Sequence, residues 1–271
     1  MTDERKIVYR IEEDMDREKV LCTTYRIKDV FRQFHDAMIT PIDAMNFVMH
    51  SHLMKYLRKN YTIVEFCMGG GNLLQFIKRY AKDIKEYTGI DINPSAITWA
   101  ETRVGYKDID HEEFYPFPHK FITGNVAEAD TYIPHKSADV LIYVSSLEHM
   151  HYDLGRKSLE AAFNILNSNG LMILTTPNAE VHDKPYKAHV YEWPRTQLLE
   201  TLEDVGFTIE HEYGILANKG DLPNDGYMKE LKEYLPYEWI GACLAGPFPE
   251  KSKEVLLVCR KRVDRSLFEY A

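Results

Sequence analysis

Residues 62–72 read Thr62-Ile63-Val64-Glu65-Phe66-Cys67-Met68-Gly69-Gly70-Gly71-Asn72. The first five predict a buried strand, and the glycines that follow predict a tight turn. Leu73, Leu74, Ile77 and Tyr80 then recur at helical spacing. A strand, a glycine-rich turn and a helix in that order are the first place to seek a ligand in a parallel sheet. Glycine lets the backbone approach a ligand closely and tolerates positive φ.

Working outward, the alternation continues. YTGIDI (87–92) predicts a second strand, and Pro94 opens a helix running through Trp99. KFITG (120–124) and ADVLIYV (138–144) give a third and a fourth strand. A helix from near Asp153 carries Leu159, Ala162, Phe163 and Leu166 on one face, with Gly170 as its expected stop. LMILTT (171–176) is the fifth strand. Leu198, Leu199, Leu202 and Val205 form the next helix, stopped by Gly206, and FTIEHEYGI (207–215) and EVLLVCR (254–260) are the last two strands. Near-continuous apolar strands separated by helices predict an α/β, Rossmann-like doubly wound fold. Its sheet would be seven-stranded and mostly parallel, with helices on both faces. This domain is expected over residues 61–271, with the polar and aromatic segment 216–250 inserted as a cap. Residues 1–60 are expected to form an N-terminal helical lid or dimer arm. Thr40-Pro41-Ile42-Asp43 marks a helix start there, before Met45, Val48, Met49, Leu53, Tyr56 and Leu57.

Composition narrows the function. The 271 residues include 33 Lys and Arg against 42 Asp and Glu, a formal net charge of −9. That balance argues against a protein whose main task is to grip nucleic-acid backbone. Cys22, Cys67, Cys243 and Cys259 form no C-x-x-C pair, which argues against a disulfide framework or a thiolate zinc site. No apolar run approaches the ~20 residues of a membrane span, and the charged N-terminal stretch has no secretory h-region. A cytoplasmic protein without a membrane partner is expected.

The turn after the first strand does not suit a dinucleotide. In either register of G-x-G-x-x-G, Cys67 or Leu74 falls where glycine is needed, and Glu65 would repel a pyrophosphate. A cationic sulfonium nucleoside fits better: Glu65 favours positive charge nearby, and Asp91 at the end of the second strand can accept from a ribose diol. At these residues the chain resembles the class I S-adenosylmethionine-dependent methyltransferases. Their first motif, [DE]-x-G-x-G-x-G, is matched by Glu65, Gly69 and Gly71, with Cys67 at a family glycine. The resemblance implies that Glu65, Cys67, Gly69, Gly71, Asp91, Ile92, Asn125, Val126 and Ser145 hold S-adenosylmethionine, which would leave as S-adenosylhomocysteine. Asn125 and Val126 come from GNVAEA (124–129), which matches the segment flanking adenine.

The segment after the fourth strand bears on the acceptor. Leu147-Glu148-His149, followed by Thr176-Pro177-Asn178, is similar to two branches of the superfamily. One is the ubiquinone-biosynthesis-type small-molecule methyltransferases. The other is the small-RNA 3′-terminal 2′-O-methyltransferases, in which E-x-x-E-H and H-x-F-E-W hold a metal with two glutamates and two histidines. This chain offers Glu148, His149 and the His189 of His189-Val190-Tyr191-Glu192-Trp193, but Ser145 stands at the first glutamate. The depleted ligand set argues against a metal. The expected reaction is methyl transfer to an O or N atom of a small-molecule acceptor, with His149 as base and Glu148 and His189 beside it. The alternatives are metal-assisted methylation of an RNA 3′-terminal ribose and a non-catalytic S-adenosylmethionine-binding subunit. A homodimer is one assembly the N-terminal arm would allow.

Overall fold

The computed structural model describes residues 41–80, 83–104, 117–181, 186–222, 226–234 and 237–262. In chain order the elements are α1 (Pro41–Met54), β1 (Thr62–Phe66), α2 (Asn72–Tyr80), β2 (Glu86–Asp91), α3 (Pro94–Val104), β3 (His119–Thr123) and β4 (Ala138–Val144). They continue with α4 (Tyr152–Ile165), β5 (Leu166–Pro177), α5 (Arg195–Val205), β6 (Phe207–Gly214), α6 (Gly226–Tyr234), α7 (Tyr237–Leu244) and β7 (Glu254–Lys261).

The strands form one sheet in the order β3-β2-β1-β4-β5-β7-β6. β1 lies parallel to both β2 and β4, with Ile63 opposite Tyr87 on one side and Val140 on the other. The β2–β3 and β4–β5 pairs are also parallel, and β7 runs antiparallel between β5 and β6. Side chains alternate across the pleat. Val64, Phe66, Leu141 and Tyr143 face a layer that includes Leu159 of α4 and Leu198 of α5. Ile63, Val140 and Ile142 face Met49 and Leu53 of α1 and Leu74 and Ile77 of α2. This is the Rossmann-like α/β architecture that the strand pattern predicts.

Two sequence expectations meet different physics. Gly206 does end α5, in the left-handed region at φ 115°, with its N–H on Leu202 and Glu203 carbonyls. Gly170 does not stop α4: the helix ends at Ile165, and Gly170 lies inside β5. A Cβ there would lie 3.0 Å from the Asn167 carbonyl oxygen and 3.2 Å from that of Ala138, so the glycine serves a close backbone approach.

Segment 216–250 carries α6 and α7, and Ala242 of α7 packs with Leu216 against Met45 and Val48 of α1. Met49 and Leu53 of α1 are fully buried, which joins this helix to the main core. Residues 1–40, the rest of the expected arm, lie outside the described residues. Truncating Leu53 to alanine should therefore lower stability by about 2–5 kcal/mol, the cost of a core cavity. Urea denaturation reads this directly, and a loss below about 1 kcal/mol would mark α1 as peripheral.

Candidate active site

The sheet order reverses beside β1, so the carboxyl ends of β1 and β4 open a crevice between segments that leave in opposite directions. On the β1 side, the Met68 N–H donates to the Ile90 carbonyl at 3.0 Å, and the Gly71 N–H donates to that of Met68 at 3.1 Å. Gly69 and Gly71 have φ of 54° and 77°. Cys67 also lies in the left-handed region, at φ 54°, a conformation that costs a non-glycine residue about 1–2 kcal/mol. Asp91 ties the turn to β2: its Oδ2 accepts from the Gly69 N–H and its Oδ1 from the Asn93 N–H, each at 2.8 Å. Ile92, next to it, is 69% exposed. Asn125 caps the short 3-10 turn Val126–Thr131 through Oδ1, and Val126 is buried in the core beneath. Tyr132, which sequence reasoning missed, donates its hydroxyl to the Asn125 carbonyl at 2.9 Å.

On the β4 side, Leu147–His149 form a 3-10 turn in which Glu148 is buried and His149 exposed. The Glu148 carbonyl accepts the N–H groups of Val190 and Tyr191, at 2.8 and 3.0 Å, and so docks the loop after β5 onto this turn. Trp193, fully buried against Tyr152 of α4, anchors the same loop from below. The docking brings His149 and His189 together, their ring centroids 5.1 Å apart and nearly perpendicular. One ligand atom each from Glu148, His149 and His189 lies within 4.8 Å of the others. The His149 Nδ1 is 3.0 Å from the Ala188 carbonyl, which can only accept, so in the neutral ring Nδ1 carries the proton and Nε2 the lone pair.

Ser145 sits at φ 43° and turns its hydroxyl to Glu254 Oε1, 2.6 Å away on β7. A carboxyl group thus stands beside Ser145 after all, delivered from the far end of the chain. Glu254 gave little sequence signal beyond opening the EVLLVCR strand, and Glu192 entered the sequence reading only within the His189–Trp193 match.

The "methyltransferase domain" family model matches residues 44–212, more than half of the chain. The chain belongs to this family. It is an enzyme that takes its methyl group from S-adenosylmethionine. No curated protein shows significant sequence similarity to it. Among solved structures it is similar to a SAM-dependent methyltransferase from Archaeoglobus fulgidus (TM-score 0.55, 14% identity, 88% of this chain and 99% of that one). It is also similar to a TehB-like SAM-dependent methyltransferase from Corynebacterium glutamicum (TM-score 0.51, 14% identity, 79% and 88%). A third match is the small RNA methyltransferase HEN1 (TM-score 0.56, 17% identity), where 79% of this chain covers 25% of that one. At these identities the likeness is one of fold. Among the described residues, no helix of the methyltransferase is long and apolar enough to cross a membrane.

Several acids along the crevice are hard to ionise. Burial, with Asp91 adding repulsion, pushes the Glu65 carboxyl from the ordinary 4.5 to about 8, although the Tyr87 hydroxyl donates to it at 2.5 Å. Burial raises Glu254 to about 8, with Glu148 next in effect, and raises Glu148 itself to about 7. Burial likewise pushes the Cys67 thiol up to about 12, so it is no nucleophile at neutral pH.

Two outcomes follow. Alanine in place of Asp91 removes the acceptor for the Gly69 N–H, and calorimetric titration with S-adenosylhomocysteine should show affinity falling by more than about tenfold, 1.4 kcal/mol. Unchanged affinity would take Asp91 out of the nucleoside site. An unfolded chain releases the Glu65 and Glu254 protons near 4.5, whereas the folded one holds them to about 8. The folded state binds more protons between these values, so the ligand-free protein should lose stability as pH rises through that window. Urea midpoints across the window check this, and Glu65→Gln should flatten the slope; stability that climbs with pH would contradict it.

Proposed function

We propose that this methyltransferase acts on an O or N atom of a small-molecule acceptor, held between the Leu147–His149 turn and the loop that carries His189. The observation that carries the reading is the His149 imidazole: its Nδ1 proton is fixed on Ala188, and its Nε2 lone pair is free at an exposed ring. Such a nitrogen can take the proton of a hydroxyl or ammonium acceptor. On the cosubstrate side, the Gly69 backbone borders open space, with no atom within 4 Å of where a Cβ would stand. Each Asp91 oxygen retains a lone pair beyond its backbone N–H, suited to a ribose diol. We assign Glu65, Cys67, Gly69, Gly71, Asp91, Ile92, Asn125, Val126 and Ser145 to the cosubstrate half. Their chemistry fits S-adenosylmethionine, which supplies, when bound, a methyl group on a cationic sulfur whose leaving thioether needs no proton. Glu148 steadies the turn and the docked loop, His149 takes the acceptor proton at Nε2, and His189 walls the pocket opposite. The net charge of −9 supports a small acceptor over a polyanion.

A second reading has an observation of its own, the approach of Glu148, His149 and His189 to within 4.8 Å. Three ligand atoms this close could draw together around one shared cation. In that case the acceptor would be an RNA 3′-terminal ribose.

Labelled S-adenosylmethionine offered with a panel of hydroxyl and amine metabolites, and separately with a short single-stranded RNA, decides between the two. Transfer to a metabolite should survive EDTA and salt, and His149→Ala should cost about 10²–10⁴-fold in turnover and remove the acidic limb of the pH profile. Turnover that His149→Ala leaves intact would end the base assignment. Transfer only to RNA, abolished by EDTA and falling steeply with salt, would establish the second reading.

A further inference from the structure

Glu192 is the buried acid that neither half of the site accounts for. Its side chain is 2% exposed, and its Oε1 lies 2.5 Å from the His189 Nδ1. The same oxygen accepts the Tyr186 N–H at 2.8 Å, while the His189 N–H donates to the Tyr186 carbonyl at 2.9 Å. The loop is thereby wound into a turn around this one carboxylate, with buried Trp193 as the next residue. The acid is kept there against repulsion, because its charge hinders ionisation of both Glu148 and Glu254.

We propose that Glu192 is a positioning residue: it holds the proton of His189 on Nδ1 and so leaves Nε2 as a lone pair beside His149. A neutral imidazole left to itself favours the proton on Nε2, and an oxygen acceptor at Nδ1 reverses the preference. His149 is set the same way by the Ala188 carbonyl at 3.0 Å. Two rings 5.1 Å apart therefore both spend Nδ1 on a fixed oxygen and both keep Nε2 free. A ring in the other tautomer would present an N–H donor to the acceptor's proton and repel it. The role of this lone pair toward the acceptor rests on the reading of the site given above.

Nitrogen-15 NMR of the full chain, labelled at histidine and held in alkaline buffer, reads the tautomer without any acceptor. The His189 signals are identified by their loss in His189→Gln. In the native protein His189 should be the Nδ1–H form. Glu192→Ala should shift it to Nε2–H, Glu192→Gln should keep Nδ1–H because the amide oxygen still accepts, and His149 should not change in either. S-adenosylhomocysteine affinity within about twofold of native shows that each variant is folded. A native His189 in the Nε2–H form overturns the proposal outright, as does an Nδ1–H form that survives Glu192→Ala. Failure of the acceptor reading registers elsewhere, in the turnover of His149→Ala, and leaves these tautomers unaltered.

Discussion

The constraint on which the molecule depends is the reversal of strand order at β1. Crossovers between parallel strands are right-handed, so the β1–α2–β2 and β2–α3–β3 units build the sheet outward on one side. The chain must then return across β1 to place β4 on the other. The turn after β1 and the turn after β4 therefore diverge from neighbouring strands whose backbones are paired up to Phe66 and Tyr143. No side chain has to be arranged to open that crevice. Residues one step past the strand ends, Cys67 and Ser145, stand at its floor whatever the loops above become.

Both turns store strain at that floor. Cys67 and Ser145 are non-glycine residues with φ of 54° and 43°, one past each strand end. Left-handed residues of this kind persist only where surrounding bonds over-determine them. Here the bonds are visible: Asp91 fixes the Gly69 N–H two residues beyond Cys67, while Thr175 and Glu254 hold the backbone and hydroxyl of Ser145. Cys67 feels the charges of Asp91, Glu148 and Glu65 together, so it is the joint between the β1 and β4 sides of the crevice. A Cβ at this joint narrows what a family glycine would leave open.

The fold was legible because a buried parallel strand has no polar face to confuse its pattern: the expected bounds 62–66 and 138–144 coincide with β1 and β4. Gly206 was legible as a helix stop since its cause is local. Gly170 was misread because the glycine signal is the same whether it serves positive φ or a close approach, and one of the two carbonyls it approaches, on Ala138, is remote in sequence. The site divides in the same way. Glu65, Gly69, Gly71 and Asp91 lie on a contiguous strand, turn and strand, so their spacing carries their meaning. Glu254 reaches Ser145 only through the antiparallel β5–β7 pairing, and Glu192 reaches His189 through a loop turn. The first relation has no period that a sequence could display, and the second, although the two residues stand three apart in one motif, depends on how the loop turns.

The acidity of the crevice bears on how such an enzyme turns over. Glu65 and Asp91 repel one another, as do Glu148, Glu192 and Glu254. A cationic sulfonium gains from such a lining, whereas the thioether left after transfer has lost that charge, so the field favours entry of the donor over retention of the product. The same field would also stabilise the ground state more than a transition state in which the positive charge is dispersing, which slows chemistry. Carboxyls raised to about 7 and 8 temper this conflict. Near neutral pH Glu65 and Glu254 stay mostly protonated and Glu148 about half so until positive charge arrives, so the field strengthens where it assists binding and weakens once the charge has gone. Burial sets that balance, and burial here follows from the strand order that made the crevice.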